Sequence, residues 1–198
     1  SDTLTGTEKI ISSASCTTNC LAPVLNVLDK NFKVVKGYMT TVHATTNDQT
    51  TLDIAHKKGA YSRRGRSAMA NIIPSSTGAA TAIGKVLPHL DGKLSGSAFR
   101  VPTIDGSVID LTLELANHVT KEEINRVFEM NQNEVIKITQ DPIVSCDVIG
   151  QTTGALVDGL LTEVLEGEDG RQLVKVVAWY DNELGYTKQM IRTMKVLV

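Results

Sequence analysis

The amino-acid sequence predicts an α+β protein built on one mixed sheet with helices packed against it. Segments with helical periodicity alternate along the chain with strand-like segments. Several strands follow one another with only a turn between them, so they need antiparallel partners. The length of 198 residues is enough for one sizeable domain.

The first predicted elements are a short strand over residues 8–15, a helix over 16–32 and a strand over 33–44. The helix is predicted because apolar residues recur at helical spacing from Leu21 to Leu28. Its opening turn, CTTN, is rich in residues of the kind that cap helix N-termini. The strand over 33–44 is rich in β-branched residues.

The middle of the chain carries a loop, a helix and two strands. Residues 58–74 are predicted to form the loop, which holds three arginines, and residues 75–90 are predicted to form a capped helix. The strands over 96–102 and 107–115 are separated by TIDG, a sequence typical of a turn.

The last part of the chain predicts a helix, a hairpin and a final helix. Residues 120–132 are amphipathic and begin with Thr and Glu at the spacing of a capping box. Residues 160–180 predict two strands joined around EDG. Residues 181–196 predict a helix whose cap is Asp181 or Asn182.

Composition argues against several classes of protein. The chain has 20 Lys and Arg, 22 Asp and Glu and a formal net charge of −2. Without a dense basic block, this balance argues against a nucleic-acid binder or a membrane-surface binder. No apolar run approaches the roughly 18 residues that span a bilayer, and the polar start of the sequence is not a signal peptide. An odd number of cysteines, 3, then favours a reducing, cytoplasmic setting.

Cys16 is the candidate nucleophile, because it lies where a strand is predicted to pass into a helix. A thiol attacks carbon as the thiolate, and a free cysteine is mostly protonated at neutral pH. A helix N-terminus contributes about 0.3–1 kcal/mol at an exposed site, and up to about 2 kcal/mol when partly buried. That lowers a pKa by roughly one unit, so we expect a second group, an imidazolium, to assist.

His43 is the histidine that the geometry places beside Cys16. The predicted helix runs for about 15 residues, or about 22 Å, and the following strand, at about 3.3 Å per residue, is long enough to return over that distance. The end of that strand should therefore lie near the start of the helix. A structural role for the imidazole remains the alternative on spacing alone.

No metal site is expected. Cys20 lies one helical turn from Cys16, but further ligands at zinc spacings are missing, and Cys146 is remote in sequence. We interpret Cys20 as a small buried or redox-accessory residue.

Several groups could bind an anion. Thr77 and Gly78 are predicted at a helix N-terminus, where free N–H groups suit phosphate, although an ordinary cap has the same pattern. Arg100 interrupts an apolar strand, and the loop over 58–74 adds three arginines. Together they predict a phosphate-bearing substrate. The dinucleotide-binding pattern GxGxxG is absent from the sequence.

The motif SASCTTNC, which contains Cys16, resembles the catalytic half of the phosphorylating glyceraldehyde-3-phosphate dehydrogenase family. The resemblance continues in family order through TTVHATTNDQ, RRGRSAMANIIPSSTGAATAIGKVLP, LSGSAFRVPT, SVIDLTLEL and VAWYDNELGY. It covers nearly the whole chain. It implies a two-layer fold, with a mixed, largely antiparallel sheet and helices on one face. Thr81 and Leu184 depart from residues common in the family, and neither touches the implied chemistry.

The resemblance implies roles for individual residues. Cys16 would attack the aldehyde, and His43 would act as general base and later as acid. Groups near the substrate's own phosphate would be Thr46, Asp48 and Arg64. The site for inorganic phosphate would use Ser15, Thr77 and Gly78, with Thr17 beside it. Arg100 would serve both sites, whereas Asn182 would hold the nicotinamide carboxamide with Tyr186 nearby.

The resemblance also implies partners and a setting: a cytoplasmic, homotetrameric oxidoreductase of glycolysis that uses NAD or NADP and acts on glyceraldehyde 3-phosphate and inorganic phosphate. It makes residues 1–198 one catalytic and substrate-binding domain, without the family's preceding dinucleotide-binding half of about 150 residues. We expect this chain alone to bind no nicotinamide cofactor effectively and not to turn over.

Three other functions stay open at this stage. An erythrose-4-phosphate dehydrogenase shares the Cys and His, although SSTGAA favours the three-carbon substrate. A freestanding Cys–His hydrolase or acyltransferase needs no dinucleotide domain. A non-catalytic oligomerisation module needs no reactive thiol.

Overall fold

The computed structural model describes residues 7–49, 53–59 and 61–196. The helices in this part of the chain are α1 (Cys16–Phe32), α2 (Ala79–Val86), α3 (Lys121–Met130) and α4 (Leu184–Lys195). The strands there are β1 (Val34–His43), β2 (Ile73–Ser76), β3 (Leu94–Arg100), β4 (Ser107–Leu115), β5 (Ile136–Thr139), β6 (Ala155–Asp158), β7 (Glu163–Glu166) and β8 (Gln172–Tyr180).

All eight strands belong to one mixed sheet with the order β2-β3-β1-β4-β8-β6-β5, and β7 pairs with β8 beside that path. The pairs β1–β3 and β5–β6 are parallel, and the other pairs are antiparallel. The predicted fold class is therefore confirmed. The sheet places the C-terminal ends of β1 and β3 side by side, because His43 is in register with Arg100.

One hydrophobic core joins the sheet to the helices. Leu21 and Leu25 of α1 are fully buried, as the helical spacing predicts, and they share a cluster with Ile109 and Leu111 of β4. Helices α2 and α3 contribute to the same cluster. Burial of this apolar face holds α1 across the sheet and fixes the position of its first residue.

Several predicted boundaries are exact or nearly so. Helix α1 covers 16–32 and β4 covers 107–115, as expected. Helix α3 begins with a complete capping box, and β7 and β8 form the predicted hairpin. The cap position of α4 is Glu183 and not Asp181 or Asn182 as predicted, although the Asp181 carboxylate accepts the N–H groups of Glu183 and Leu184.

The strand expected over residues 8–15 is wrong, because no strand forms there. Ala14 has a left-handed φ of 56°, which a strand cannot contain, and Ile10 is 92% exposed, so no apolar face is buried. The helix expected over 75–90 is shorter than predicted, because its first residues belong to β2 and residues 88–90 form a separate 3-10 turn.

Candidate active site

Cys16 and His43 meet at one edge of the sheet. Cys16 is the first residue of α1 and His43 is the last residue of β1. The sulfur of Cys16 lies 3.3 Å from Nε2 of His43, within hydrogen-bonding distance for sulfur. The hydroxyl of Ser15 caps α1 by accepting the N–H of Thr18 at 3.1 Å. The return path along helix and strand thus ends where the sequence argument placed it.

His43 is held in one orientation by its other ring nitrogen. Nδ1 lies 2.7 Å from the carbonyl oxygen of Ala44. A carbonyl oxygen only accepts, and the two protons of the nearby Arg100 nitrogen are directed to Ala44 and Thr46. The contact with Ala44 therefore places the proton on Nδ1 and leaves the Nε2 lone pair facing the sulfur. The imidazole is therefore oriented to take the proton of Cys16.

The pair is neutral at rest. Burial and, next, the positive charge of Arg100 lower the pKa of His43 from 6.5 to about 4. Burial also raises the pKa of the Cys16 thiol, against smaller lowering effects of Thr17 and Arg100. The expectation that an imidazolium assists a helix terminus in lowering the thiol pKa is therefore not met. His43 can instead act as a base during attack, taking the proton as the new bond forms.

A chain of polar contacts continues from His43 to the loop that follows β1. One guanidinium nitrogen of Arg100 donates to the carbonyl of Ala44 at 2.9 Å and to the hydroxyl of Thr46 at 2.8 Å. The Thr46 hydroxyl donates to the Asp48 carboxylate, which also pairs with Arg64. The structure thus joins Thr46, Asp48, Arg64 and Arg100 in one network beside His43.

Six of the eight predicted anion-binding residues share a cavity with the Cys–His pair, and Thr46 and Asp48 are not among its lining residues. The cavity has a volume of about 380 Å³ and is open to solvent. Its predicted site residues are Ser15, Cys16, Thr17, His43, Arg64, Thr77, Gly78 and Arg100. Gly78 precedes the first residue of α2, and the Thr77 hydroxyl accepts the N–H of Ala79 at 3.2 Å. Asp48 lines an adjacent cavity together with Arg64.

Asn182 does not line the cavity, but Ser107 links it to the backbone of Ala44, the residue after His43. The Ser107 hydroxyl donates to the Asn182 side-chain oxygen at 2.7 Å and accepts the N–H of Ala44 at 3.0 Å. The amide nitrogen of Asn182 makes only a 3.5 Å contact with Glu183. An amide donor so weakly engaged suits the carbonyl of a carboxamide ligand. Tyr186, in the first turn of α4, does not line the cavity.

The sequence analysis did not identify three buried polar residues that lie near Cys16 and His43. Thr41, Ser107 and Tyr180 are all buried and hydrogen-bonded around the cavity wall. Each lies in a strand among apolar residues, so its type alone gave no signal. A buried hydroxyl that needs a partner is the physical clue, and it becomes visible only when the strand order is known.

In the described part of the chain, neither Cys20 nor a cluster of potential metal-binding side chains forms a further site. Cys20 is fully buried, with its sulfur 3.9 Å from the carbonyl oxygen of Ala178, which fits the structural interpretation. Within the described residues, no group of three or more His, Cys, Asp or Glu side chains could hold a metal ion. None of the helices described is long and apolar enough to cross a membrane.

Comparison with known proteins gives consistent matches. The family described as "Glyceraldehyde 3-phosphate dehydrogenase, C-terminal domain" matches residues 15–182. A glyceraldehyde-3-phosphate dehydrogenase of Clostridium pasteurianum is 54% identical over 192 residues, which are 97% of this chain and 57% of the relative. The corresponding protein of Clostridium acetobutylicum is 53% identical over 191 residues, 96% of this chain and 57% of the relative.

A relative from another genus gives the same result. The glyceraldehyde-3-phosphate dehydrogenase of Streptococcus pyogenes is 52% identical over 194 residues, 98% of this chain and 57% of the relative. The chain thus spans little more than half the length of these relatives. The family match covers residues 15–182 and includes every lining residue of the cavity except Ala14. This chain therefore belongs to the family of glyceraldehyde 3-phosphate dehydrogenase C-terminal domains.

Proposed function

We propose that this chain supplies the nucleophile, the base and the phosphate-binding groups of a phosphorylating glyceraldehyde-3-phosphate dehydrogenase. The reaction converts an aldehyde phosphate into an acyl phosphate. The observation that carries the proposal is the 3.3 Å contact between Cys16 Sγ and His43 Nε2, in a cavity that also holds Arg100 and a helix N-terminus.

Cys16 and His43 perform the covalent steps. The sulfur adds to the aldehyde carbon while His43 Nε2 takes the thiol proton and passes it to the former carbonyl oxygen, which gives a neutral thiohemiacetal. His43 then assists loss of the hydroxyl proton as the thiohemiacetal is oxidised to a thioester. Inorganic phosphate attacks the thioester carbon, the C–S bond breaks and the acyl phosphate leaves, and protonated His43 returns its proton to the leaving sulfur.

Two groups of residues orient the phosphates. Thr46, Asp48 and Arg64 form the network at one side of His43 and would bind the phosphate of the substrate. Ser15, Thr77 and Gly78, with Thr17 beside them, line the cavity near Cys16 and would bind inorganic phosphate. Arg100 lies between both groups. Fixed positions for two anions hold the reacting carbon near the sulfur, which lowers the entropic part of the barrier.

The residues present fit the nicotinamide end of a cofactor. Asn182 would donate its amide N–H to the carboxamide, and Ser107 orients Asn182 through the 2.7 Å hydrogen bond. Tyr186 would lie nearby, at the start of α4. NAD or NADP, when bound, accepts the hydride.

We further propose the setting in which the domain acts. Residues 1–198 form one catalytic and substrate-binding domain that works with a separate dinucleotide-binding domain, in a cytoplasmic homotetramer. The length of the relatives, of which this chain matches 57%, supports a partner domain. The chain alone would then bind cofactor weakly and would not complete the redox step.

The test uses the half-reaction that needs no nicotinamide. An acyl phosphate, 1,3-bisphosphoglycerate, should transfer its acyl group to Cys16 and release phosphate, because this step reverses phosphorolysis. Intact-mass and peptide mass spectrometry should find the thioester on Cys16, and Cys16→Ser should abolish it. His43→Asn should slow acylation by about 10²–10⁴-fold.

The same experiment separates the competing functions. Faster acylation by the three-carbon than by the four-carbon acyl phosphate supports the proposed substrate. Cys16-dependent ester hydrolysis that ignores phosphate would indicate a hydrolase instead. Absence of any acylation, with an intact fold, would contradict the proposal.

A further inference from the structure

The group of residues proposed to bind the substrate's phosphate contains one member that is itself an anion. Asp48 lies in a short 3-10 turn, Asn47–Gln49, after β1. One oxygen of its carboxylate accepts the hydroxyl proton of Thr46, and the other accepts a guanidinium N–H of Arg64. The carboxylate therefore occupies the two donors that a phosphate would need.

The Thr46 hydroxyl cannot serve both anions at once. It has a single proton, and its oxygen already accepts a guanidinium N–H of Arg100 at 2.8 Å. While Asp48 holds that proton, Thr46 has none to donate to a phosphate. An ionised carboxylate has no proton to offer a phosphate dianion either, and the two like charges repel each other. A phosphate that binds to Thr46 and Arg64 must therefore displace Asp48.

The charges of the network favour this exchange. Arg64 and Arg100 carry two positive charges, and Asp48 carries one negative charge. A phosphate dianion balances the two guanidinium groups when Asp48 turns away, whereas the network has an excess of negative charge when Asp48 stays. Among the residues that the structure describes, Nε of Arg64 and Nε of Arg100 are buried without a hydrogen-bond partner. The carboxylate thus leaves a donor of each arginine unpaired, and a phosphate has more oxygens with which to accept.

Asp48 is also free to move. Its side chain is 55% exposed, against 29% for Arg64. A cavity of about 820 Å³ beside the network is lined by Asp48 together with Lys57 and Lys58. A carboxylate that leaves Arg64 therefore remains solvated and in basic surroundings, so its displacement costs little beyond the two hydrogen bonds that the phosphate replaces.

We propose that Asp48 is an internal competitor of the substrate's phosphate, and that it sets the affinity of the phosphate site by occupying Thr46 and Arg64. The inference rests on the proposed function, because it divides that site into two donors and one competitor. Binding exchanges one anion for another, with no covalent bond made and no proton transferred. In the opposite case Asp48 would hold Arg64 in place for phosphate, and removing its charge would weaken phosphate binding.

The test measures the binding of glycerol 3-phosphate by titration calorimetry, because this probe carries the phosphate and has no carbonyl carbon. Asp48→Asn keeps the size of the side chain and removes its charge. Its affinity should be about tenfold higher than that of the parent. Glu166→Gln removes a negative charge at an exposed position of β7 and should leave the affinity unchanged, because a distant surface charge is screened.

A double substitution shows where the effect arises. Arg64→Gln should weaken binding, and in that background Asp48→Asn should gain much less than in the parent, because one of the donors for which the two anions compete is gone. Asp48→Ala is a second variant. It should bind glycerol 3-phosphate at least as tightly as Asp48→Asn, since it leaves no side-chain oxygen to accept from Thr46.

Equal or weaker binding by folded Asp48→Asn, or no binding by either protein, would overturn the proposal. Weaker binding would show that Asp48 positions Arg64 instead. In the acylation assay, the second-order rate constant for 1,3-bisphosphoglycerate relative to that for acetyl phosphate, which lacks a second phosphate, should rise in Asp48→Asn. Calorimetry needs neither acylation of Cys16 nor a cofactor, so a gain in affinity would stand even if acylation by an acyl phosphate failed.

Discussion

A guanidinium nitrogen of Arg100 lies 2.8 Å from Nδ1 of His43. The parallel pairing of β1 and β3 sets this permanent positive charge against the imidazole. An imidazolium beside it is disfavoured, and burial adds to the effect, so the pKa of His43 falls to about 4. The resting base is therefore neutral and ready to accept a proton.

Arg100→Gln should raise the pKa of His43, because it removes the second-largest lowering effect while burial remains. The measurement is an NMR titration of the histidine ring protons, with the His43 signal assigned from a His43→Asn variant. Arg171→Gln is the control, since Arg171 is an exposed arginine of the β7–β8 hairpin. An unchanged His43 titration in Arg100→Gln would show that burial alone sets the pKa.

The low pKa of His43 should make the protein less stable in mild acid. Between about pH 6.5 and 4, unfolded His43 binds a proton that the folded protein excludes, so the free energy of unfolding falls as the pH decreases. The loss attributable to this residue should reach at most about 3 kcal/mol. Urea unfolding across this pH range should show it in the parent and not in His43→Asn.

His118→Asn is the matched control for that acid effect, because His118 lies exposed in a loop. It should retain the pH dependence of the parent. If His43→Asn and the parent lose stability in parallel, the exclusion of a proton from His43 is not the cause.

Gly106→Ala should destabilise the protein strongly. Gly106 has a left-handed φ of 84°, and an added Cβ would lie 2.1 Å from the carbonyl oxygen of Ser145. Gly92 has a similar φ of 73° but open space around the same position. We expect Gly92→Ala to cost about 1 kcal/mol and Gly106→Ala about 3 kcal/mol or more, by urea unfolding. Equal costs would mean that the loop carrying Ser145 moves aside freely.

Ser107→Ala should weaken the link between the base and the amide that would hold the cofactor. The Ser107 hydroxyl accepts from Ala44 and donates to Asn182, so its loss leaves two buried groups unpaired. The expected cost is about 1–3 kcal/mol in unfolding free energy. In an active assembly, the KM for the nicotinamide cofactor should rise while acylation of Cys16 changes little.

Ser97→Ala is the matched control for Ser107→Ala, because Ser97 is an exposed residue of β3. It should leave both unfolding and KM unchanged. Slower acylation of Cys16 in Ser107→Ala, with an unchanged KM, would show that Ser107 serves His43 rather than Asn182.

Local patterns predicted the long elements because their signals lie within a few residues of one another. The apolar spacing of α1 and the capping box of α3 each involve residues one or two turns apart. The four-residue strands β2, β5 and β6 carry too few residues for a periodicity to be read. The strand expected over 8–15 failed because extended-looking residues form a strand only when a neighbour pairs with them.

The sequence by itself determined the family, the long helices and the meeting of Cys16 with His43, because the strand that follows the helix is long enough to return to the helix's first turn. Only the tertiary structure decided which groups surround that pair. Thr17 and Tyr180 are 163 residues apart in the chain, and Arg100 reaches His43 across 57. These contacts depend on which strands lie side by side, and strand order follows from burying one apolar face of the whole sheet rather than from any local pattern.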